Sequence, residues 1–228
     1  MEKPPPPDCR KWFGLFTRRE RWGLSARGWL MLIAVVGVLA LTWAWNVQRF
    51  LAPTQRVPAK ILVMEGWVGP YAAHAAAREF MDGQYDFVCT TGGPITGSGA
   101  TNIFNTTASV GGERLIGAGV PADKVHIVPA EHVGRDRTYT SALALRVWFQ
   151  EQKITVTEFN LITEDVHARR SWLLFQQAFG SSVKVGIVAV PDPDYEPAHW
   201  WRYSEGVREI LGESIAYVYA KFIFSPGK

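Results

Sequence analysis

The sequence predicts an α/β fold: a three-layer domain with a mainly parallel sheet of about five strands, preceded by one transmembrane helix. Three observations carry this. Short apolar runs recur between Lys60 and Val190. Between them lie longer stretches with helical periodicity and glycine stops. Such alternation implies right-handed crossovers and parallel strands, a Rossmann-like arrangement. Ahead of these runs is "GWLMLIAVVGVLALTWAW", Gly28 to Trp45, eighteen residues without a charge. At 1.5 Å per residue it is about 27 Å long, close to the thickness of a bilayer's hydrocarbon core.

Residues 1–27 form a basic N-terminus that includes Arg10, Lys11, Arg18, Arg19, Arg21 and Arg27. By the positive-inside rule they favour a cytoplasmic N-terminus, although Arg49, Arg56 and Lys60 follow the apolar run. Trp29 at one end and Trp43 and Trp45 at the other match interfacial belts. A cleaved signal peptide and a buried helix of a soluble protein are the rival readings. The run exceeds a usual signal core, and no small-x-small site precedes a mature start. The expected topology is single-pass in the inner (cytoplasmic) membrane, with residues 28–45 as anchor and the domain facing the periplasm or cell exterior. Residues 46–59 read as a juxtamembrane linker broken by Pro53 and Pro58. Residues 60–228 read as the α/β domain with a C-terminal amphipathic helix.

Within that domain "KILVMEG", from Lys60, is the first strand, and the Ala-rich "YAAHAAAREFMDG" a helix with a glycine stop. "YDFVCT" is the second strand and empties into the loop Thr91–Asn105. A helix over Thr106–Gly117 leads to the third strand, "KVHIVPA". "TYTSALALRVWFQEQK" is a helix with Leu143 and Val147 on its core face, and "TEFNLIT" the fourth strand. "HARRSWLLFQQAFG" is a helix closed by Gly180, and "VKVGIVAV" the fifth strand. The segment from Trp200 to about Phe222 is amphipathic and helical. Cys9 and Cys89 flank the anchor and form no disulfide framework; Cys89 reads as a core thiol.

A parallel sheet places ligands beyond the carboxyl ends of its strands. Four loops fall there: Glu65–Pro70, Thr91–Asn105, Ala130–Thr140 and Thr163–Arg170. Gly92 and Gly93 let backbone pass close to a ligand or turn N–H groups to an anion. Neither the dinucleotide fingerprint nor Walker A spacing is present, and there is no G-x-S-x-G elbow. Glu131, His132, Arg135, Asp136, Arg137 and Thr138 crowd the third loop, where an Arg beside a helix start suits a phosphate or carboxylate. His167 and Arg170 are three apart and share a helix face, with Asp165 as the expected cap and Glu164 or Asp165 orienting the ring. His167 is the expected acid/base and Glu113 the group orienting a hydroxyl, water or cation. No Cys/His cluster has metal-ligand spacing, so no metal is assigned, and no concentrated basic face invites nucleic acid. The bland alternative for every one of these residues is a solvated, salt-bridged surface.

The order of these pieces resembles the DUF218 family, also called YdcF-like, which includes SanA-type and ElyC-type envelope proteins. The resemblance runs from about Lys60 to Val190. Thr91-Gly92-Gly93 stands for the family's Ser-Gly-Gly loop. Glu113 before "LIGAGVPADKV" stands for its acidic residue before "L…GVP". His167-Ala168-Arg169-Arg170 matches the late His-x-x-Arg, with Arg170 in the arginine position. This chain departs where Glu65-Gly66-Trp67 replaces a glycine-rich first loop. It departs again where Arg137-Thr138-Tyr139-Thr140-Ser141-Ala142 keeps the threonine but not the Glu and Asn of Asn-Thr-x-Glu-Asn. The resemblance implies a role in envelope or peptidoglycan-precursor metabolism and implies no particular cofactor.

The resulting expectation is a membrane-anchored envelope protein that binds an anionic precursor, lipid-linked or phosphate-bearing, through Gly92, Gly93, Arg137, Thr138, Arg170 and Glu65. Its chemistry as an enzyme would be phosphoryl or glycosyl-phosphate transfer, with His167 and Glu113 catalytic. The alternatives are a non-catalytic envelope assembly factor using the same cleft, and a structural protein that holds an envelope partner through the aromatic segment Tyr195–Tyr203.

Overall fold

In the computed structural model the described residues are 10–11, 16–17, 24–95, 106–130 and 137–225. Glu131, His132, Arg135, Asp136, Cys9, most of the basic N-terminus and most of the loop Thr91–Asn105 lie outside them.

The chain divides into two compact units, residues 1–43 and residues 44–228. In the first, Arg10–Lys11 pairs antiparallel with Phe16–Thr17, and a long helix begins. That helix, α1 (Ala26–Leu51), is long and apolar enough to cross a bilayer. Only 6 % of its most apolar window is buried, unlike the core helix of a soluble domain. The last turns of α1 belong to the second unit. There Val47 and Leu51 are buried, Gln48 Nε2 donates to Asp165 Oδ1 at 2.9 Å, and Trp200 Nε1 donates to the Ala44 carbonyl at 2.9 Å. The expected linker over residues 46–59 is therefore corrected. Buried apolar side chains and interior hydrogen bonds extend the helix to Leu51, and Gln55 then bridges antiparallel to Ile187.

The second unit is a five-stranded, all-parallel sheet: β1 (Ile61–Glu65), β2 (Phe87–Gly92), β3 (Val125–Pro129), β4 (Glu158–Glu164) and β5 (Lys184–Val190). Its spatial order is β3-β2-β1-β4-β5, so the chain reverses direction of growth between β1 and β4. The connecting helices are α2 (Pro70–Asp82), α3 (Thr107–Gly117), α4 (Arg137–Glu151) and α5 (Ala168–Phe179), followed by α6 (Ser204–Phe222).

Strand side chains alternate between faces, and the two cores follow that rule. Ile61, Val63, Cys89, Phe159 and Leu161 pack against Ala142, Leu145 and Phe149 of α4 and Phe175 and Ala178 of α5. Leu62, Met64, Val88 and Ile162 pack against the alanines and Phe80 of α2 and Leu115 of α3. Burying both faces explains why these strands read as continuous apolar runs. Cys89 is buried as expected. Val147 is not on the core face of α4: it is half-exposed, and Ala142, Leu145 and Phe149 carry the packing instead. Local signals bound the helices, Gly180 among them as read. Pro70 opens α2, Thr106 caps α3 by accepting from the Ser109 N–H, and Gly180 closes α5 at φ +74°. Ahead of α6 a tight helical turn covers Pro197–Arg202. It buries Trp200, and Tyr195 just upstream is buried too, while Trp201 and Tyr203 of the same segment stay exposed.

Candidate functional site

A cleft of about 330 Å³ opens beyond the carboxyl ends of β1, β2 and β4, at the point where the strand order reverses. Glu65 and Trp67 enter it from the end of β1. Thr91, Gly92, Gly93 and Pro94 enter from the end of β2, Arg137, Thr138 and Ser141 from α4, and His167 and Arg170 from beyond β4. The glycine pair and the His167–Arg170 turn, far apart in sequence, meet here.

Glu65 shares its strand face with Ile61 and Val63, which points it toward α5. It is 2 % exposed, and Ser171 Oγ donates to its Oε2 at 2.7 Å. Among the described residues nothing hydrogen-bonds its other oxygen. Thr91, on the same face of β2, lines the cleft with a buried hydroxyl that has no protein partner. Buried polar atoms are normally satisfied, so the Thr91 hydroxyl marks a position on the floor that a ligand or water would complete.

The glycine pair acts differently from the expectation. β2 runs on through Gly92, and a Cβ there would overlap Thr107 Oγ1. The Gly93 carbonyl accepts from the Thr107 N–H at 2.9 Å. A Cβ at Gly66 would likewise overlap the Thr107 carbonyl. These glycines seat the first turn of α3 against the strand ends; their close approach is to the protein's own backbone.

His167 and Arg170 do share one face, and Arg170 Nη2 lies 3.3 Å from His167 Nδ1. What holds them is α6. Glu213 receives Arg170 Nε and Nη2 as a fork, at 2.8 and 2.9 Å, and lies 2.9 Å from His167 Nδ1. Glu209 lies 3.3 Å from His167 Nε2. Arg170 Nη1 reaches Thr138 Oγ1 at 3.4 Å, and the Trp67 ring meets the imidazole edge-on with centroids 4.7 Å apart. Burial pulls the His167 pKa down, but the bonds to Glu209 and Glu213 outweigh it and lift it to about 9. Burial raises the Glu213 carboxyl, and its bonds to His167 and Arg170 overcome this and hold it at about 2. His167 is thus an imidazolium at neutral pH with both N–H groups committed, and the Arg170 fork is committed too. Neither is the free proton acceptor or free anion clamp that position alone predicted.

Glu164 and Asp165 do not orient the ring. Glu164 ends β4 and accepts the Gly69 N–H. Asp165 does not cap α5. It sits at φ +25° in a tight turn, and its carboxylate accepts from Gln48 and the Tyr195 hydroxyl. Both carboxyls are pushed up, chiefly by burial. They line a second, acidic cavity that shares Trp67 and His167 with the first. Glu113 is exposed on α3 and does not line the cleft, which corrects its expected role. Arg137 is exposed on the first turn of α4 and has no partner among the described residues.

Sequence reasoning missed Glu209, Glu213 and Ser171, and named Thr91 and Trp67 only as members of their loops. Glu209 and Glu213 are four apart on a helix, a spacing that puts two carboxylates on one face. That was the only signal, and it does not name their partners. No group of three His, Cys, Asp or Glu side chains among the described residues is arranged to hold a metal ion. The chain gives no match to family models, curated proteins or solved structures.

Proposed function

We propose that the cleft binds a hydroxylated anion, of which a phosphate-bearing envelope precursor is the fitting class, and that the protein does so while anchored in the inner membrane through residues 28–45 with its N-terminus cytoplasmic. The observation that carries this is Arg137: a guanidinium with no partner among the described residues, at the start of α4 and lining a cleft whose floor holds Glu65. Arg137, at a helix start, attracts the anionic end. Glu65 repels an anion and accepts from a hydroxyl, so the two together favour a ligand carrying both groups. The resemblance to the DUF218 family supports the same reading and an envelope role.

Binding without turnover is the second reading. The commitment of both His167 nitrogens and of the Arg170 fork favours it, because a proton transfer would have to break an ion pair first. If the site does turn over a glycosyl phosphate, His167 enters as the general acid that protonates the leaving oxygen.

Titration of the full chain in nanodiscs with a sugar 1-phosphate, followed by calorimetry, with release of inorganic phosphate assayed alongside, tests both. Arg137→Ala should weaken the sugar phosphate about tenfold or more and leave the neutral sugar unchanged. Equal affinity in wild type and variant would overturn the anion site. Product release that His167→Gln abolishes would favour the enzyme, whereas unchanged binding with no release from either protein would favour the binding factor.

A further inference from the structure

Helix α6 has a second face. Opposite Glu209 and Glu213 it exposes Leu211, Ile215, Val218, Tyr219 and Phe222, with Ile215 73 % and Phe222 77 % exposed. At 100° per residue these five fall within an arc of about 100°. From Leu211 to Phe222 the arc holds no charge; Arg208 stands on it one turn earlier, Lys221 stands at its flank, and Ile223 extends it beyond the last turn. A contiguous apolar stripe of this length on a folded domain marks an interaction surface.

We propose that this stripe lies in the headgroup–acyl boundary of the same bilayer that holds α1. Three facts within the folded unit select lipid as the occupant. Phe50 of α1 meets Tyr217 of α6 edge-on at 5.3 Å, so the stripe's helix is in contact with the chain's last turn of α1. Trp45, where the apolar run ends, precedes Phe50 by five residues, about 7.5 Å of helix. Trp45 is exposed and its ring lies tilted 5.9 Å from that of Trp201, which is also exposed, an aromatic pair of the interfacial kind where the apolar run ends. An apolar helix face flanked by a Lys matches a helix lying in the interface plane.

The consequence reaches the cleft. α6 would touch lipid with one face while Glu209 and Glu213 on the other hold His167 and Arg170, placing the cleft beside the membrane where a lipid-linked phosphate is presented. This inference rests on the reading of residues 28–45 as a membrane span, and the test separates the two.

Full-length protein carrying Cys9→Ser is placed in nanodiscs of phosphatidylcholine with phosphatidylglycerol. Nitroxide labels go singly on Ile215→Cys, Phe222→Cys, Val36→Cys and the exposed Asp123→Cys. Cys89 is buried and does not compete for label. Collision with oxygen reports lipid and collision with a nickel chelate reports water. Ile215 and Phe222 should show oxygen-to-nickel ratios several-fold above Asp123 and approaching Val36. A lipid-facing Val36 with Ile215 in water, or with Ile215 shielded from both probes by protein, would overturn the proposal alone. A Val36 label in water would overturn the anchor and the proposal with it.

Discussion

At the scale of single residues, the centre of this site is a partly buried charge cluster. His167 sits between Glu209 and Glu213, and Arg170 shares Glu213 with it. The folded pKa of His167, about 9, lies above its ordinary 6.5. The stability this contributes is full below about pH 6.5 and is lost as pH rises to 9. Glu213, at about 2 against an ordinary 4.5, contributes fully above pH 4.5 and loses it as pH falls toward 2. Both describe the same ion pair, so they are not added; its size is on the order of 3 kcal/mol. Glu213→Gln should therefore abolish most of the fall in stability between pH 6.5 and 9, measured by urea unfolding, and lower the His167 pKa seen by NMR. Glu213→Ala should destabilise by about 2–4 kcal/mol at pH 7, because the partly buried Arg170 and His167 lose their shared carboxylate. A loss below about 1 kcal/mol would mean that the cluster is solvated.

At the scale of elements, the cleft owes its shape to how closely α3 approaches the sheet. Gly66 and Gly92 end neighbouring strands and admit Thr107 at distances no side chain tolerates. At Gly66 the obstructing atoms are backbone, including Ala108 Cα at 2.8 Å, so no rotamer change relieves the overlap. Gly66→Ala should cost about 1–3 kcal/mol, or more if α3 cannot shift. At Gly92 the nearest atom is a side-chain oxygen, so pairing Gly92→Ala with Thr107→Ala should recover much of the loss. Thermal unfolding of the two single variants and the pair checks this. Elsewhere the segment before β1 is tied by Asn160, whose amide accepts from the Val57 N–H and donates to its carbonyl, both at 2.9 Å. That side chain satisfies both backbone groups of Val57 and fixes residues read from sequence as a linker.

At the scale of the whole molecule, α1 is the one described helix with the length and composition of a membrane span. Its last turns are built into the α/β unit through Val47, Gln48 and Leu51. A protein anchored in this way should stay in the membrane pellet through alkaline carbonate and leave only with detergent. Replacing Val36 and Leu39 with Arg should release it, since each charge at mid-bilayer opposes insertion by roughly 3 kcal/mol. Retention of that double variant in the pellet would assign membrane attachment to other surfaces.

The sequence by itself determined the order of strands and helices, the apolar span, and the end of the sheet where ligand loops gather. Each of these follows from local periodicity, local caps and the fixed hand of crossovers. It also placed Gly92, Gly93, Arg137, Thr138, Arg170, His167 and Glu65 at that end, because all of them border strand or helix termini. Only the tertiary structure decided what those groups do. Glu209 and Glu213 lie about forty residues beyond His167 and turn an expected proton acceptor into a bound imidazolium. Glu113, in a sequence position that favoured it, faces away from the cleft. Protonation states and partnerships depend on which distant side chains share a few ångströms of low-dielectric space, and that proximity is a property of the packed chain.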